Sequence, residues 1–282
     1  MIAAALAEHP QAEMLRHETH DFADPMYKPG AAQRIGARFT GVALRHGFKC
    51  ASYLGQPEVP ERLAVDLGMP DVIFALRDPV KRAVSAWYWY MRLGHVPVQP
   101  VNDAFRRLLG SDLSGPEQRH ELEVLDWGLY AKHLEHWLRF FPRDKIHLVF
   151  DIDLRRSPAG TIVGLYEALG LDPTVTPTVQ QQRHNDGVYS YSRIRWLRRR
   201  LRWVWRQDAD GVSRPQRPTR LLPAVANAGV VAIDRYVLAR LDRCGPPVLD
   251  ADVEQALRDY YRADTLQLQS LAGTSLASWL AL

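Results

Sequence analysis

The sequence predicts an α/β fold around a parallel sheet, because short apolar strands alternate with longer helical segments. Residues 72–76 form an apolar run that predicts a buried strand at 71–76, and residues 79–93 have the pattern of a helix that follows it. The order recurs downstream, where a strand is predicted at 146–150 between helices at 130–140 and 157–169. Parallel strands need such crossover connections, which are usually helical.

The other elements are predicted in chain order from periodicity and from Pro and Gly positions. A helix is predicted at residues 1–16. An irregular segment is predicted at residues 17–48, because Pro25, Pro29 and Gly30 interrupt it. Gly170 is expected to cap the 157–169 helix at its carboxyl end. The remaining predictions are short helices at 58–67 and 104–109, loops at 94–100, 111–117 and 171–192, and a closing helix at 253–271.

Composition is that of an ordinary globular protein. The chain has 282 residues, of which 46% are hydrophobic and 24% charged, so it suits one α/β domain spanning residues 1–282. We find no apolar stretch of the ~18 residues that a membrane span needs. The net charge of +4 fits an anionic ligand, nucleic acid or a membrane surface equally well.

The cysteine content indicates the compartment. Cys50 and Cys244 are the only two cysteines, too few for a disulfide framework or a metal site. A reducing compartment is the default for such a chain, and the N-terminus lacks the features of a signal peptide. We therefore expect a cytoplasmic protein.

The strand–helix junction at residues 71–87 predicts an anion site. Arg77 comes directly after the predicted strand, Pro79 suits the first turn of a helix, and Ser85 would lie on that helix. Open α/β sheets bind ligands at the carboxyl ends of their strands. A guanidinium and a hydroxyl near a helix N-terminus can hold a phosphate. The alternative is a plain strand–turn–helix with a solvated basic face.

Residues 76–88, LRDPVKRAVSAWY, resemble the 3′-phosphate-binding motif of sulfotransferases that use 3′-phosphoadenosine-5′-phosphosulfate (PAPS). The resemblance places Arg77 and Ser85 on the two positions that contact the 3′-phosphate. Residues 50–63, 128–150, 165–173 and 257–280 resemble, in the same order, segments of heparan-sulfate-type and bacterial carbohydrate sulfotransferases. The family implies a three-layer α/β sandwich with a central parallel sheet, similar to the P-loop nucleotide kinases.

One element of that family is not recognisable in the sequence. The family holds the 5′-phosphosulfate in a loop with glycine, threonine and lysine between its first strand and first helix, whereas this chain starts with MIAAALAEHPQAEML. That start resembles the helix that would follow the loop. We expect a truncated gene model that begins at an internal Met, and a natural variant without normal cofactor binding is the alternative.

The segment RHETHDFAD, residues 16–24, resembles the Glu-x-His-Phe-Phe segment of heparan-sulfate-type sulfotransferases. The resemblance makes Glu18 the catalytic base and places His20 beside it. Asp21 replaces the first Phe, Phe22 keeps the second, and the later aspartate of the family is offset to Asp24. The alternative is a polar loop without chemistry.

Lys49 matches the lysine of the family's Glu-Lys-Thr-Pro-Ser-Tyr segment, where it can bind the acceptor or developing negative charge. Phe48 and Cys50 depart from that segment, and a solvated lysine at a strand end is the alternative. His133 and His136 lie three residues apart on a predicted helix without an evident third ligand, so we interpret them as surface or cleft residues and expect no metal.

The most basic segment is SRIRWLRRRLRWVWR, residues 192–206, with seven arginines and three tryptophans. By resemblance we interpret residues 183–220 as a basic lid near the cofactor and acceptor, with Arg183 in a turn that contributes to cofactor binding. Peripheral membrane contact is the second interpretation, and nucleic-acid binding is a distant third. A packed helix with solvated arginines and buried tryptophans is the alternative without a binding role.

The resemblance implies transfer of a sulfuryl group from PAPS, as co-substrate, to a hydroxyl or less often an amine. A carbohydrate or glycosylated metabolite is the expected acceptor. The other class of function is a non-catalytic binding protein that uses its arginine- and tryptophan-rich segment on a membrane or a partner.

Overall fold

The computed structural model describes residues 1–111, 118–177, 187–207, 213–215, 221–242 and 244–281. The chain forms two compact units, each assembled from separate segments. The first unit contains Met1–Asp78, Leu129–His184 and Asp264–Leu276; the second contains Pro79–Gly128, Asn185–Ala263 and Ala277–Leu282. The single-domain organisation expected from the sequence stays a prediction.

The strands are β1 Ala12–Met14, β2 Arg45–Gly47, β3 Val72–Leu76, β4 Ile146–Phe150, β5 Trp205–Gln207 and β6 Ser213–Pro215. The helices are α1 Ile2–Glu8, α2 Ala31–Gly36, α3 Val59–Leu67, α4 Pro79–Leu93, α5 Val101–Gly110, α6 Arg119–Asp126, α7 Tyr130–Trp137, α8 Asp151–Arg156, α9 Pro158–Ala168, α10 Tyr191–Arg198, α11 Leu201–Val204, α12 Leu221–Ile233, α13 Ala239–Leu241, α14 Ala251–Ala272 and α15 Ala277–Leu280. A π-helical turn, Asp234–Leu238, joins α12 to α13, so that Leu221–Leu241 is one continuous helix.

The first unit contains two parallel strand pairs. β1 pairs with β2, with Ala12 opposite Arg45, and β3 pairs with β4, with Val72 opposite Ile146. The predicted α/β fold with parallel strands is confirmed, whereas the three-layer arrangement stays a prediction. Each parallel pair is joined by a long connection that contains helices, as parallel geometry requires.

The core of the first unit forms where α1 and α9 pack against β4. Its buried side chains include Leu6 of α1, Val149 of β4 and Ile162 of α9. Tyr166 donates a hydrogen bond from its hydroxyl to the Ala5 carbonyl oxygen over 3.0 Å, so the aromatic residue satisfies a buried backbone group as well as filling space.

The second unit is mainly helical. Trp87 of α4 and Phe105 of α5 are both fully buried, with ring centroids 6.2 Å apart. Tyr261 of α14 donates to the Leu125 carbonyl oxygen over 2.9 Å and thereby holds the end of α6. Arg82 of α4 also bonds the carbonyl oxygen of Val124.

Several sequence predictions match the structure closely. The helix Pro79–Leu93 and the strand Ile146–Phe150 have the predicted bounds. Gly170 adopts the left-handed conformation, with φ 66°, that a carboxyl-terminal helix cap requires. The helix predicted at 58–67 is present as Val59–Leu67.

Other predictions are wrong. The helix predicted over residues 1–16 ends at Glu8, before Pro10, and Ala12–Met14 is a strand because it pairs with β2. The irregular segment 17–48 contains α2 and β2. Strands of three residues form because they pair with each other in the tertiary structure, and they are too short to show a hydrophobic periodicity in the sequence.

The expectation that no stretch could span a membrane is also wrong. In the described part of the chain, one helix, Leu221–Leu241, is long and apolar enough to cross a membrane by length and composition. Asp234 and Arg235 interrupt this run, but its other positions are mostly apolar.

Candidate functional site

The segments after β1 and β2 continue side by side beyond the strands. The backbone N–H of Leu15 donates to the Gly47 carbonyl oxygen over 2.8 Å, and that of Thr19 donates to the Lys49 carbonyl oxygen over 2.9 Å. Two residues that the sequence assigns to separate motifs, Glu18 and Lys49, are thus brought to the same strand end.

Thr19 is anchored by three groups. Besides the bond to Lys49, its hydroxyl accepts from Arg38 over 3.2 Å and its carbonyl oxygen accepts from the Tyr53 hydroxyl over 2.6 Å. Thr19 is only 1% exposed, whereas its neighbours Glu18 and His20 are exposed. Fixing the middle residue inward therefore directs the two flanking polar residues to the surface.

His20 has a thiol partner. Its Nδ1 lies 3.2 Å from Cys50 Sγ, which lies 3.2 Å from Ser52 Oγ. Burial raises the pKa of the Cys50 thiol, hydrogen bonds from Ser52 lower it, and the negative charge of Glu18 raises it again. The thiol is therefore protonated at neutral pH, and it can donate to Nδ1 in the His20 tautomer that carries its proton on Nε2.

Lys49 is exposed, and its neighbour Phe48 points inward. The Phe48 ring stacks on the buried Phe22 ring at 5.8 Å between centroids. The departures from the family segment at positions 48 and 50 thus have structural roles in this chain. Phe48 packs beside the site, and Cys50 contacts His20.

A charge cluster shows which strand ends lie together. Arg45, at the start of β2, lies 3.7 Å from Asp71, just before β3, and Asp71 also bonds His147 of β4 over 3.0 Å. The amino ends of these parallel strands therefore meet. Lys49 follows the carboxyl end of β2, and Arg77 follows the carboxyl end of β3.

Arg77 is exposed at the end of β3. Its carbonyl oxygen accepts a hydrogen bond from the Tyr130 hydroxyl over 2.9 Å, which fixes the backbone at this point. The first unit thus places Glu18, His20, Lys49 and Arg77 on the carboxyl side of its parallel strands. A carboxylate, an imidazole and two cations therefore follow the carboxyl ends of these strands, and such groups suit an anionic substrate.

The other predicted site residues are placed differently. Ser85 is half-buried on α4 in the second unit, and Arg183 lies outside the described residues. The roles of all six residues stay predictions.

His133, expected at the surface or in a cleft, is buried, and His136 contacts the Pro57 carbonyl oxygen over 2.7 Å.

The arginine-rich segment forms α10 and α11 before β5. Ile194 and Leu197 of α10 are buried and Arg195 and Arg199 are exposed, whereas Arg193 is paired with Asp234 and Asp242 and Trp196 is half-buried, so the packed helix fits only in part. Much of the predicted 183–220 lid lies outside the described residues, and the lid stays a prediction. Among the described residues, no cluster of three or more His, Cys, Asp or Glu could hold a metal ion.

Sequence reasoning missed the residues that position this site. Tyr53 and Arg38 anchor Thr19, and Cys50 contacts His20. No sequence signal marked them, because Glu18, Thr19 and His20 are all polar and their alternating burial is visible only in the structure.

A family model described as a sulfotransferase domain matches residues 69–191. The bifunctional heparan sulfate N-deacetylase/N-sulfotransferase of Drosophila melanogaster is 32% identical over 127 residues, covering 44% of this chain and 12% of that protein. The human heparan sulfate glucosamine 3-O-sulfotransferase 3B1 is 25% identical over 271 residues, covering 95% of this chain and 58% of that protein.

This chain thus spans between 12% and 58% of the length of these two relatives. A solved structure, the sulfotransferase from Alicyclobacillus acidocaldarius, aligns with a TM-score of 0.64 at 14% identity and covers 99% of this chain and 93% of that one. At this identity the likeness shows the fold alone.

Proposed function

This chain belongs to the sulfotransferase family, and on that premise we propose that it transfers a sulfuryl group from PAPS to a hydroxyl of a carbohydrate or glycosylated small molecule. The observation that carries the proposal is the backbone bond that brings the segments of Glu18, His20 and Lys49 together after β1 and β2, with Arg77 at the carboxyl end of β3 in the same unit. The names of the relatives, which describe heparan sulfate sulfotransferases, support a carbohydrate acceptor.

Glu18 is proposed as the base. An acceptor hydroxyl becomes nucleophilic as its proton moves to the carboxylate, and the exposed position of Glu18 gives an acceptor access. The oxygen then bonds to the sulfur while the bond from sulfur to the 5′-phosphate oxygen breaks, which releases 3′-phosphoadenosine-5′-phosphate. PAPS supplies the activated sulfuryl group for this step.

His20 and Lys49 are proposed to assist the transfer of the sulfuryl group. In the tautomer whose Nδ1 accepts from Cys50, the His20 Nε2 proton can be donated to an oxygen of the acceptor or of the moving group. The Lys49 ammonium can stabilise the negative charge that develops during transfer. Arg77 and Ser85 are proposed to bind the 3′-phosphate, and Arg183 to contribute to cofactor binding.

Titration calorimetry with 3′-phosphoadenosine-5′-phosphate tests the binding half of this proposal. Arg77→Ala should weaken binding by about tenfold to a hundredfold, because a hydrogen bond to a charged group is worth ~1.5–3 kcal/mol. Arg139→Ala, which removes an exposed arginine elsewhere in the first unit, is the matched control and should bind normally. No heat from the unsubstituted protein at millimolar ligand would overturn the proposal.

The catalytic half is tested by Glu18→Gln. Turnover of PAPS with a carbohydrate acceptor should fall by about 10²–10⁴, the range of general base catalysis, while nucleotide affinity stays the same. Glu61→Gln, an exposed glutamate on α3, is the control. Equal turnover in the Glu18→Gln protein and in the unsubstituted protein would remove Glu18 from the mechanism.

A further inference from the structure

The outward face of the Leu221–Leu241 helix is apolar. Leu221, Leu222 and Val225 are 79%, 83% and 61% exposed. Ile233 and Tyr236, about two and three turns further on, are also exposed. Positions at these spacings lie on one side of a helix, so the exposed side chains form a continuous stripe rather than scattered contacts.

The opposite face of the same helix is packed within the second unit. Val230 is buried, and its carbonyl oxygen accepts from the Trp196 indole N–H over 3.0 Å. Arg193 bonds Asp234 over 2.9 Å and Asp242 over 2.7 Å. The two acidic groups at this end therefore face inward and are neutralised by one arginine.

The charges left at the surface here are cationic. Arg235 and Arg240 of the helix are both exposed. The outward face thus combines large apolar side chains with arginines, while Asp234 points away from it. This combination is typical of helices that lie in a membrane interface.

We propose that the outward face of the Leu221–Leu241 helix binds the surface of an anionic lipid bilayer, with its leucine and valine side chains below the headgroups and its arginines on the lipid phosphates. Charge complementarity favours an anionic surface, and the apolar stripe favours lipid over a polyanion. Binding to a soluble polyanion would leave the Leu222 and Val225 side chains exposed to water.

Two other arrangements fit less well. Spanning the bilayer would require breaking the Arg193–Asp234 ion pair and placing the Asp234 and Arg235 charges of the helix in hydrocarbon, which is costly. In a dimer formed through this face, Arg235 and Arg240 of both copies would meet, and Asp234, which faces inward, could not neutralise them. The helix therefore lies on the surface of the bilayer.

Vesicle sedimentation of the full chain tests the proposal. The protein should sediment with vesicles of phosphatidylcholine and phosphatidylglycerol, less with phosphatidylcholine alone, and less at high salt, because headgroup attraction is screened. The double substitution Leu222→Glu with Val225→Glu should lower binding by at least about tenfold. Val65→Glu, which changes another exposed valine on α3, should bind normally.

Circular dichroism checks that each variant is folded. The double substitution Arg235→Ala with Arg240→Ala, which leaves the apolar stripe intact, should weaken vesicle binding and reduce its dependence on salt. Binding that survives the glutamate substitutions but disappears with salt would show a purely electrostatic contact and overturn the proposal. The proposal would also be overturned if the unsubstituted protein did not sediment with the vesicles. It would likewise be overturned if sedimentation equilibrium showed a dimer that the Leu222→Glu and Val225→Glu substitutions dissociate.

Discussion

Arg45 Nη1 lies 3.7 Å from Asp71 Oδ2 and joins the start of β2 to the start of β3. The same carboxylate accepts from His147 over 3.0 Å and from Lys145 over 3.4 Å. This cluster is at the opposite end of the strands from the candidate site. It fixes the amino ends of β2, β3 and β4 and so determines where the residues after these strands can lie.

Asp71→Asn should lower the free energy of unfolding by about 1–3 kcal/mol, because it weakens charge-assisted hydrogen bonds at a largely buried position. Urea unfolding near neutral pH measures this loss. Asp144→Asn, which changes a nearby exposed aspartate, should have little effect. Equal stability of the two variants would show that the cluster does not support the strand pairs.

The stability contributed by Asp71 should depend on pH. Burial would raise the pKa of this carboxyl, but hydrogen bonds from His147 and Lys145 outweigh burial and hold the pKa below 3.8. The folded state therefore binds fewer protons than the unfolded state. The contribution is present above about pH 4 and is lost as the pH falls through the folded value, so the Asp71→Asn protein should show a flatter acid profile.

Tyr53→Phe tests whether anchoring Thr19 positions Glu18 and His20. The substitution leaves the Thr19 carbonyl oxygen and the Phe22 N–H without the hydroxyl that both contact, which should cost ~1–3 kcal/mol of stability. Turnover should fall while nucleotide affinity is retained. The control is Tyr27→Phe, which removes a hydroxyl bonded to Asp66 away from Thr19. A Tyr53→Phe protein with normal turnover would contradict the positioning role.

The parts of the fold that follow from local signals were predictable. Pro79 marks the start of α4, and the uninterrupted apolar runs at Val72–Leu76 and Ile146–Phe150 match two strands that pair in parallel. The Leu221–Leu241 helix was not predicted, because Pro223 and the Asp234–Arg235 pair obscured an otherwise apolar run. The three-residue strands β1 and β2 depend on each other and carry no periodicity of their own.

The candidate site was predictable only through resemblance. Glu18, His20 and Lys49 are separated by up to 31 positions in the sequence, and only the pairing after β1 and β2 brings them together. Cys50 appeared as a departure from the family segment, and its contact with His20 depends on backbone pairing that composition does not encode. Thr19 and Tyr53 are ordinary residue types whose role is visible only in their hydrogen bonds.

Alkylation of Cys50 tests its surroundings. Burial raises the pKa of the thiol above its usual 9.0, hydrogen bonds from Ser52 lower it, and the charge of Glu18 raises it. In a Cys244→Ser protein, iodoacetamide should therefore label Cys50 slowly at neutral pH and faster as the pH rises. Glu18→Gln should accelerate labelling at a fixed pH, as measured by mass spectrometry. An unchanged rate would show that the Glu18 carboxylate does not reach the thiol.

His95 should make the second unit sensitive to acid. Burial, and then the charge of His120 whose ring centroid lies 4.2 Å away, lower the pKa of His95 to about 4, and Glu123 only partly opposes them. The ordinary value is 6.5, so between about pH 6.5 and about pH 4 the unfolded state binds more protons at this position. The free energy of unfolding should therefore fall as the pH drops through this window.

His95→Phe keeps an aromatic ring beside Tyr90 and His120 but cannot be protonated. Between about pH 7 and about pH 5 this variant should lose less stability than the unsubstituted protein, because the unfavourable charging of His95 is removed. His17→Phe, which changes an exposed histidine, should follow the unsubstituted protein. Urea unfolding at both pH values measures the difference, and parallel losses in all three proteins would show that His95 is not the group that responds to acid.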